Sequence, residues 1–109
     1  MQTLVQVVCS KGKSLRDVIV NDDKLSEFGL VIEMKQKHGR PNGWAKLCSS
    51  EAGHQGALNI EWDSATNILL CRIVNRGTGR PGHILGDFMC YLFERCRKRI
   101  ETMNVIPRK

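Results

Sequence analysis

Apolar residues recur with a period of two through the first two thirds of the chain, and with a period near 3.6 after that. Thr3-Leu-Val-Gln-Val-Val-Cys9 is rich in β-formers and predicts a first strand, which Lys11-Gly12-Lys13 breaks. Ser14 to Val20 fits either a helical turn or a second strand. Leu30, Ile32 and Met34 alternate with Val31, Glu33 and Lys35, the signature of a half-buried strand. A dense turn cluster follows, His38-Gly39-Arg40-Pro41-Asn42-Gly43, and Trp44 to Ser49 resumes the β pattern. This pair predicts a hairpin with a long basic tip. Ala57 to Trp62 alternates again, with Leu58, Ile60 and Trp62 on one side. Asp63-Ser64-Ala65-Thr66 is turn chemistry, and Ile68 to Val74 is a nearly continuous apolar strand, giving a second hairpin.

From about His83 to Met103 the period lengthens. Leu85, Met89, Leu92, Cys96, Ile100 and Met103 form a helical stripe, widened by Ile84, Phe88 and Tyr91. Basic residues crowd its last turns, where the helix dipole favours them. Asn104 is placed to close this helix, and Val105-Ile106-Pro107 leaves it in extended form. The expected fold is α+β, one domain over 1–109. It has a four- or five-stranded, mainly antiparallel sheet (two hairpins) packed against one long C-terminal helix.

A hydrophobic fraction of 41% and a charged fraction of 26% are those of an ordinary globular domain. No apolar run approaches the ~18 residues of a membrane span, and the first residues lack the basic lead of a signal peptide. The five cysteines are odd in number and contain no CxxC, which points to reduced, mostly buried thiols and a cytoplasmic protein. Charge is unevenly spread. Residues 1–34 and 56–75 each carry net −1, whereas 35–55 carry +3 and 76–109 carry +5, within a total of +6. That clustering suits nucleic acid or an acidic protein as partner.

Gly77-Thr78-Gly79-Arg80-Pro81-Gly82 matches the phosphate-cradling pattern GxGxxG between an apolar run and a helix. A dinucleotide site also needs a following parallel strand with an acid about 20 residues on, and too little chain remains for one. Pro81 removes a donor and Asp87 adds a negative charge nearby, so the segment reads as a connector from sheet to helix.

The tripeptide Gly-Arg-Pro occurs twice, at Gly39–Pro41 and Gly79–Pro81. It resembles the core of the AT-hook, a peptide whose extended arginine lies in the DNA minor groove. His38, Thr78, Asn42 and Gly82 stand where that motif has basic residues. The resemblance implies groove-reading roles for Arg40 and Arg80. A broader reading needs no motif: Lys37 and Arg40 at the hairpin tip, Arg76 and Arg80 in the glycine loop, and Arg95, Lys98 and Arg99 on the helix would contact phosphates. Aromatic residues are scarce among them, so binding would be dominated by the backbone of the nucleic acid.

Two alternatives stand beside this. The first is a self-association or protein–protein module, built on Phe88, Tyr91, Leu92 and Phe93 or on an open sheet edge. The second is a metal-dependent nuclease, because Asp22-Asp23 followed by Glu33-Met34-Lys35 resembles the acid…Glu-x-Lys arrangement of restriction-endonuclease-like enzymes, which implies a divalent metal at the carboxylates. The scattered His38, His54 and His83 and the spacing of Cys90 and Cys96 suggest no metal site, and no nucleophile has a matched base. The expectation carried forward is a small basic domain without cofactor or metal. It binds nucleic acid or another polyanion and is more a binding module than an enzyme, with a homo-oligomer open.

Overall fold

The structure, a computed structural model, describes residues 2–50, 56–74 and 82–108. Among these residues six strands form one sheet: β1 (Gln2–Cys9), β2 (Leu30–Met34), β3 (Trp44–Ser49), β4 (Ala57–Asp63), β5 (Ile68–Val74) and β6 (Ile100–Arg108). Two α-helices, α1 (Leu15–Val20) and α2 (Gly82–Arg95), lie with a 3-10 turn (Leu25–Phe28) on one face. The spatial order is β2-β3-β4-β5-β1-β6, and every neighbouring pair is antiparallel.

Both expected hairpins form. Asp63 shapes the second turn, because its carboxylate accepts from the Ala65 N–H at 3.0 Å and from the Thr66 hydroxyl at 2.9 Å. Asn67 completes it in the left-handed region at φ 57°, which Asn tolerates better than most residues. Ser14 to Val20 resolves as helix: Ser14 is the N-cap of α1, its hydroxyl accepting from the Asp17 N–H at 3.3 Å.

The expected long C-terminal helix is corrected. It stops at Arg95, a 3-10 turn spans Arg97–Arg99, and the chain returns as the nine-residue strand β6, so the sheet has six strands. Ile84, Phe88, Tyr91, Leu92 and Cys96 of the predicted stripe are buried as expected. Ile100 and Met103, its last two members, are buried in part, but from a strand. Tertiary pairing overrides the local period here. Without β6, β1 would expose its backbone as an edge, and the β-branched Ile100, Thr102, Val105 and Ile106 suit a strand. Asn104, expected as a helix stop, pairs with Gln6 across the β1–β6 ladder. Pro107 is accommodated because β6 is an edge strand.

The core lies between the helices and one sheet face. Val5, Val7, Leu47, Leu58, Ile60, Leu69, Cys71 and Ile73 point into it from the strands, and Leu15, Ile19, Phe88, Tyr91 and Leu92 from the helices. The opposite sheet face carries no helix among the described residues and leaves Leu70 exposed.

Candidate polyanion-binding end of the sheet

Strand direction decides which loops meet. β1 ends at Cys9 opposite the beginning of β6 at Ile100, and Val8 pairs with Ile68 at the start of β5. Ile68 faces Asp63 at the end of β4, Glu61 faces Trp44 at the start of β3, and Lys46 faces Met34 at the end of β2. The 10–14 loop, the 35–43 hairpin tip and the 97–99 turn therefore leave the same end of the sheet. Lys11, Lys13, Lys35, Lys37, Arg40, Arg97 and Lys98 are all exposed there. Across six strands this end is about 24 Å wide, a span that matches several phosphates of one strand.

Two buried or half-buried arginines fasten the loops. Arg99 donates from Nη2 to the carbonyls of Ser10 at 3.1 Å and Lys13 at 2.8 Å, which fixes the Lys11-Gly12-Lys13 loop against the 3-10 turn. Its Nε is buried and has no partner among the described residues. Arg16 on α1 donates from Nε to the Trp44 carbonyl at 3.0 Å and from Nη2 to the Lys35 carbonyl, holding the hairpin base at the same end of the sheet. Two carboxylates near this end are engaged, while Glu61 and Glu101 are exposed. Asp17 accepts from Arg16 Nη1 at 2.9 Å, and Asp63 caps its own turn.

Arg40 lies with its guanidinium carbon 5.5 Å from the centroid of the Trp44 ring, a cation–π arrangement that aims it toward the helix-free face. Trp44 itself is only 2% exposed and donates from Nε1 to Asn59 Oδ1 at 3.2 Å, so it is no stacking platform for a base. Gly39, at φ 86°, makes the tip turn, in which the Arg40 N–H donates to the Lys37 carbonyl at 3.0 Å.

The expected site residues are thus only partly gathered. Lys37, Arg40, Lys98 and Arg99 share the end, with Arg99 half-committed to the loop it holds. Arg95 stands apart: its Nε and Nη2 both donate to Asp22 at 3.1 Å. Arg76 and Arg80, and the glycine pattern up to Pro81, lie outside the described residues. Lys11 and Lys13 read in the sequence only as a strand break. The signal for them was their position directly after a β-rich run, but their proximity to Lys98 and Arg99 depends on the β1–β6 pairing.

The geometry also bears on the alternatives. The Asp22 side chain is 8% exposed and accepts from Tyr91 Oη at 2.9 Å as well as from Arg95, which holds its carboxyl below the ordinary carboxylate range, chiefly through the Arg95 hydrogen bond. Glu33 lies on the helix-free face and pairs with Lys46 at 3.4 Å. The sheet separates these two carboxylates, and no group of three or more His, Cys, Asp or Glu able to hold a metal occurs among the described residues. Phe88, Tyr91 and Leu92 are buried and present no surface, whereas Phe93 is exposed. All five cysteines are free: Cys9, Cys71 and Cys96 are buried, with thiol pKa values pushed up by burial, and Cys90 is exposed. No helix among the described residues is long and apolar enough to cross a membrane.

Comparison of the chain with protein-family models, with curated proteins and with solved structures finds no match.

Proposed function

We propose that the protein binds nucleic acid, or another extended polyanion, along the basic end of its sheet. The observation that carries this reading is that three separate basic segments leave the same end of the sheet: Lys11 and Lys13, Lys37 and Arg40, and Lys98 with Arg99. Phosphates contact the lysine ammonium groups and the Arg40 guanidinium, while Arg99 and Arg16 keep the loops in register. Trp44 is covered, so affinity comes from charge and little from base stacking, and sequence preference is slight. Arg95, paired with Asp22, positions the helix and does not contact the ligand.

Titration of labelled single-stranded RNA, single-stranded DNA and duplex DNA at several salt concentrations tests this. Log K is expected to fall linearly with log salt. Reversing both Lys11 and Lys13 to Glu lowers the slope by about 2, because each neutralised phosphate contributes close to one unit. Lys24→Glu, on the 3-10 turn away from this end, changes the slope less. Absence of binding to all three at low salt would remove the proposal.

A further inference from the structure

The positive charge at the basic end lies in two groups. The 10–14 loop and the 97–99 turn, joined by the Arg99 hydrogen bonds, carry Lys11, Lys13, Arg97, Lys98 and Arg99. Glu94 and Glu101 stand beside them, which leaves this group at +3. Lys35, Lys37 and Arg40 make a second +3 at the hairpin tip, because Glu33 is taken up by Lys46. Each group has its own open concavity. One, of about 420 Å³, is lined by residues 93–99, and the other, of about 370 Å³, by residues 36–38 and 40–42.

Between the two groups the charge reverses. The hairpin tip leads into β3 and the 10–14 loop leaves β1, three strand spacings away, which is about 14 Å. The ends of β4 and β5 and the turn between them fill that interval. Residues 61–69 hold two exposed carboxylates, Glu61 and Asp63, and no base. On the helix side, Arg16 is buried and paired with the exposed Asp17 at 2.9 Å, so it offers no free charge. A phosphate placed over the middle of this end therefore meets like charge.

We propose that the basic end is two phosphate sites, not one groove, and that it selects single strands long enough to bridge them over nucleotides and short fragments. This rests on the polyanion reading above and adds a length requirement to it. A stacked strand rises about 3.4 Å per phosphate, so about four steps cross the gap. Shorter ligands occupy one group at a time. Once a strand reaches both, its second contact is intramolecular, at an effective concentration near the millimolar range. The Debye length in 0.1 M salt, about 10 Å, is shorter than the gap, so neither group does much for a phosphate held at the other.

Titration of single-stranded oligothymidylates from about two to about twelve nucleotides long, in about 0.1 M sodium chloride, tests this. The dissociation constant is expected to change little up to about four nucleotides, to fall at least about tenfold by about six, and to change slowly after that. Lys37→Glu combined with Arg40→Glu alters two exposed residues and is expected to erase the fall, so that the longest strand binds as the shortest does. Glu61→Lys, also at an exposed position, fills the gap and replaces the step by a gradual rise in affinity, with the short strands gaining most. A dissociation constant that falls by the same factor for every added nucleotide, or a step that survives the Lys37 and Arg40 reversal, would overturn the proposal while leaving polyanion binding in place. Binding at no length in about 0.01 M salt would remove the polyanion reading together with it.

Discussion

Arg95 grips Asp22 with two hydrogen bonds of 3.1 Å across 73 positions of sequence, and Tyr91 adds a third to the same carboxylate at 2.9 Å. The pair fastens the last turn of α2 to the segment just after α1. Phe28 packs edge-on to the Tyr91 ring at 5.5 Å between centroids, so the contact is apolar on one side and ionic on the other.

Asp22→Asn is expected to destabilise the protein by about 1–2 kcal/mol, a fall in Tm of roughly 5–10 °C for a domain of this size. The folded-state pKa of Asp22 is depressed, so its stabilising effect is complete above the unfolded value of about 3.9 and fades as pH falls through the lower folded value. Melting of both proteins between about pH 2 and 7 checks this. Their difference should be constant above about pH 5 and close toward the acid end.

Arg16 makes the second long-range fastening, from inside the structure. Arg16→Leu leaves the Trp44 and Lys35 carbonyls without their donor, at about 1–3 kcal/mol for each unpaired group. A loss of about 3 kcal/mol is expected, seen as a lower urea midpoint at constant m-value. Arg16→Lys should rescue little, because one ammonium cannot reproduce the planar fork that serves both carbonyls and Asp17.

The two hairpins were legible in the sequence because they are local: alternation, turn residues and strand length all lie within about 20 positions. The helix start and its buried face, Ile84, Phe88, Tyr91 and Leu92, were legible for the same reason. The helix end was not. Ile100 and Met103 continue the helical stripe by spacing alone, and only the need of β1 for a second neighbour draws residues 100–108 into the sheet. The basic end is the least legible part. Spacing alone continues the helix through 97–99 and reads 11–13 as a break, and nothing in the one-dimensional pattern brings Lys13 within reach of Arg99. The same holds for Arg16, whose burial in a position reading as surface charge depends on two carbonyls that lie 19 and 28 residues further along.

Two glycines separate backbone need from tolerance. A Cβ on Gly43 would come within 2.7 Å of the Trp62 carbonyl oxygen, at the site where the Trp62 N–H donates to the Gly43 carbonyl at 2.9 Å. Gly43→Ala should therefore cost about 1–3 kcal/mol by forcing the two segments apart. At Gly86, inside α2, a Cβ would meet nothing within 4 Å. Gly86→Ala is expected to stabilise by about 0.5–1 kcal/mol through helix propensity alone. Thermal melts of the two variants should move in opposite directions.

The basic end is tested most directly by following backbone amide signals in the NMR spectrum while a short single-stranded oligonucleotide is added at low salt. The expected result is a set of shifts confined to 10–14, 36–43 and 97–100, reversed by added salt, with Leu30, Ser49 and Ala57 at the opposite end of the sheet left in place. Shifts concentrated at that opposite end instead, or none at all at a several-fold excess of oligonucleotide, would contradict it.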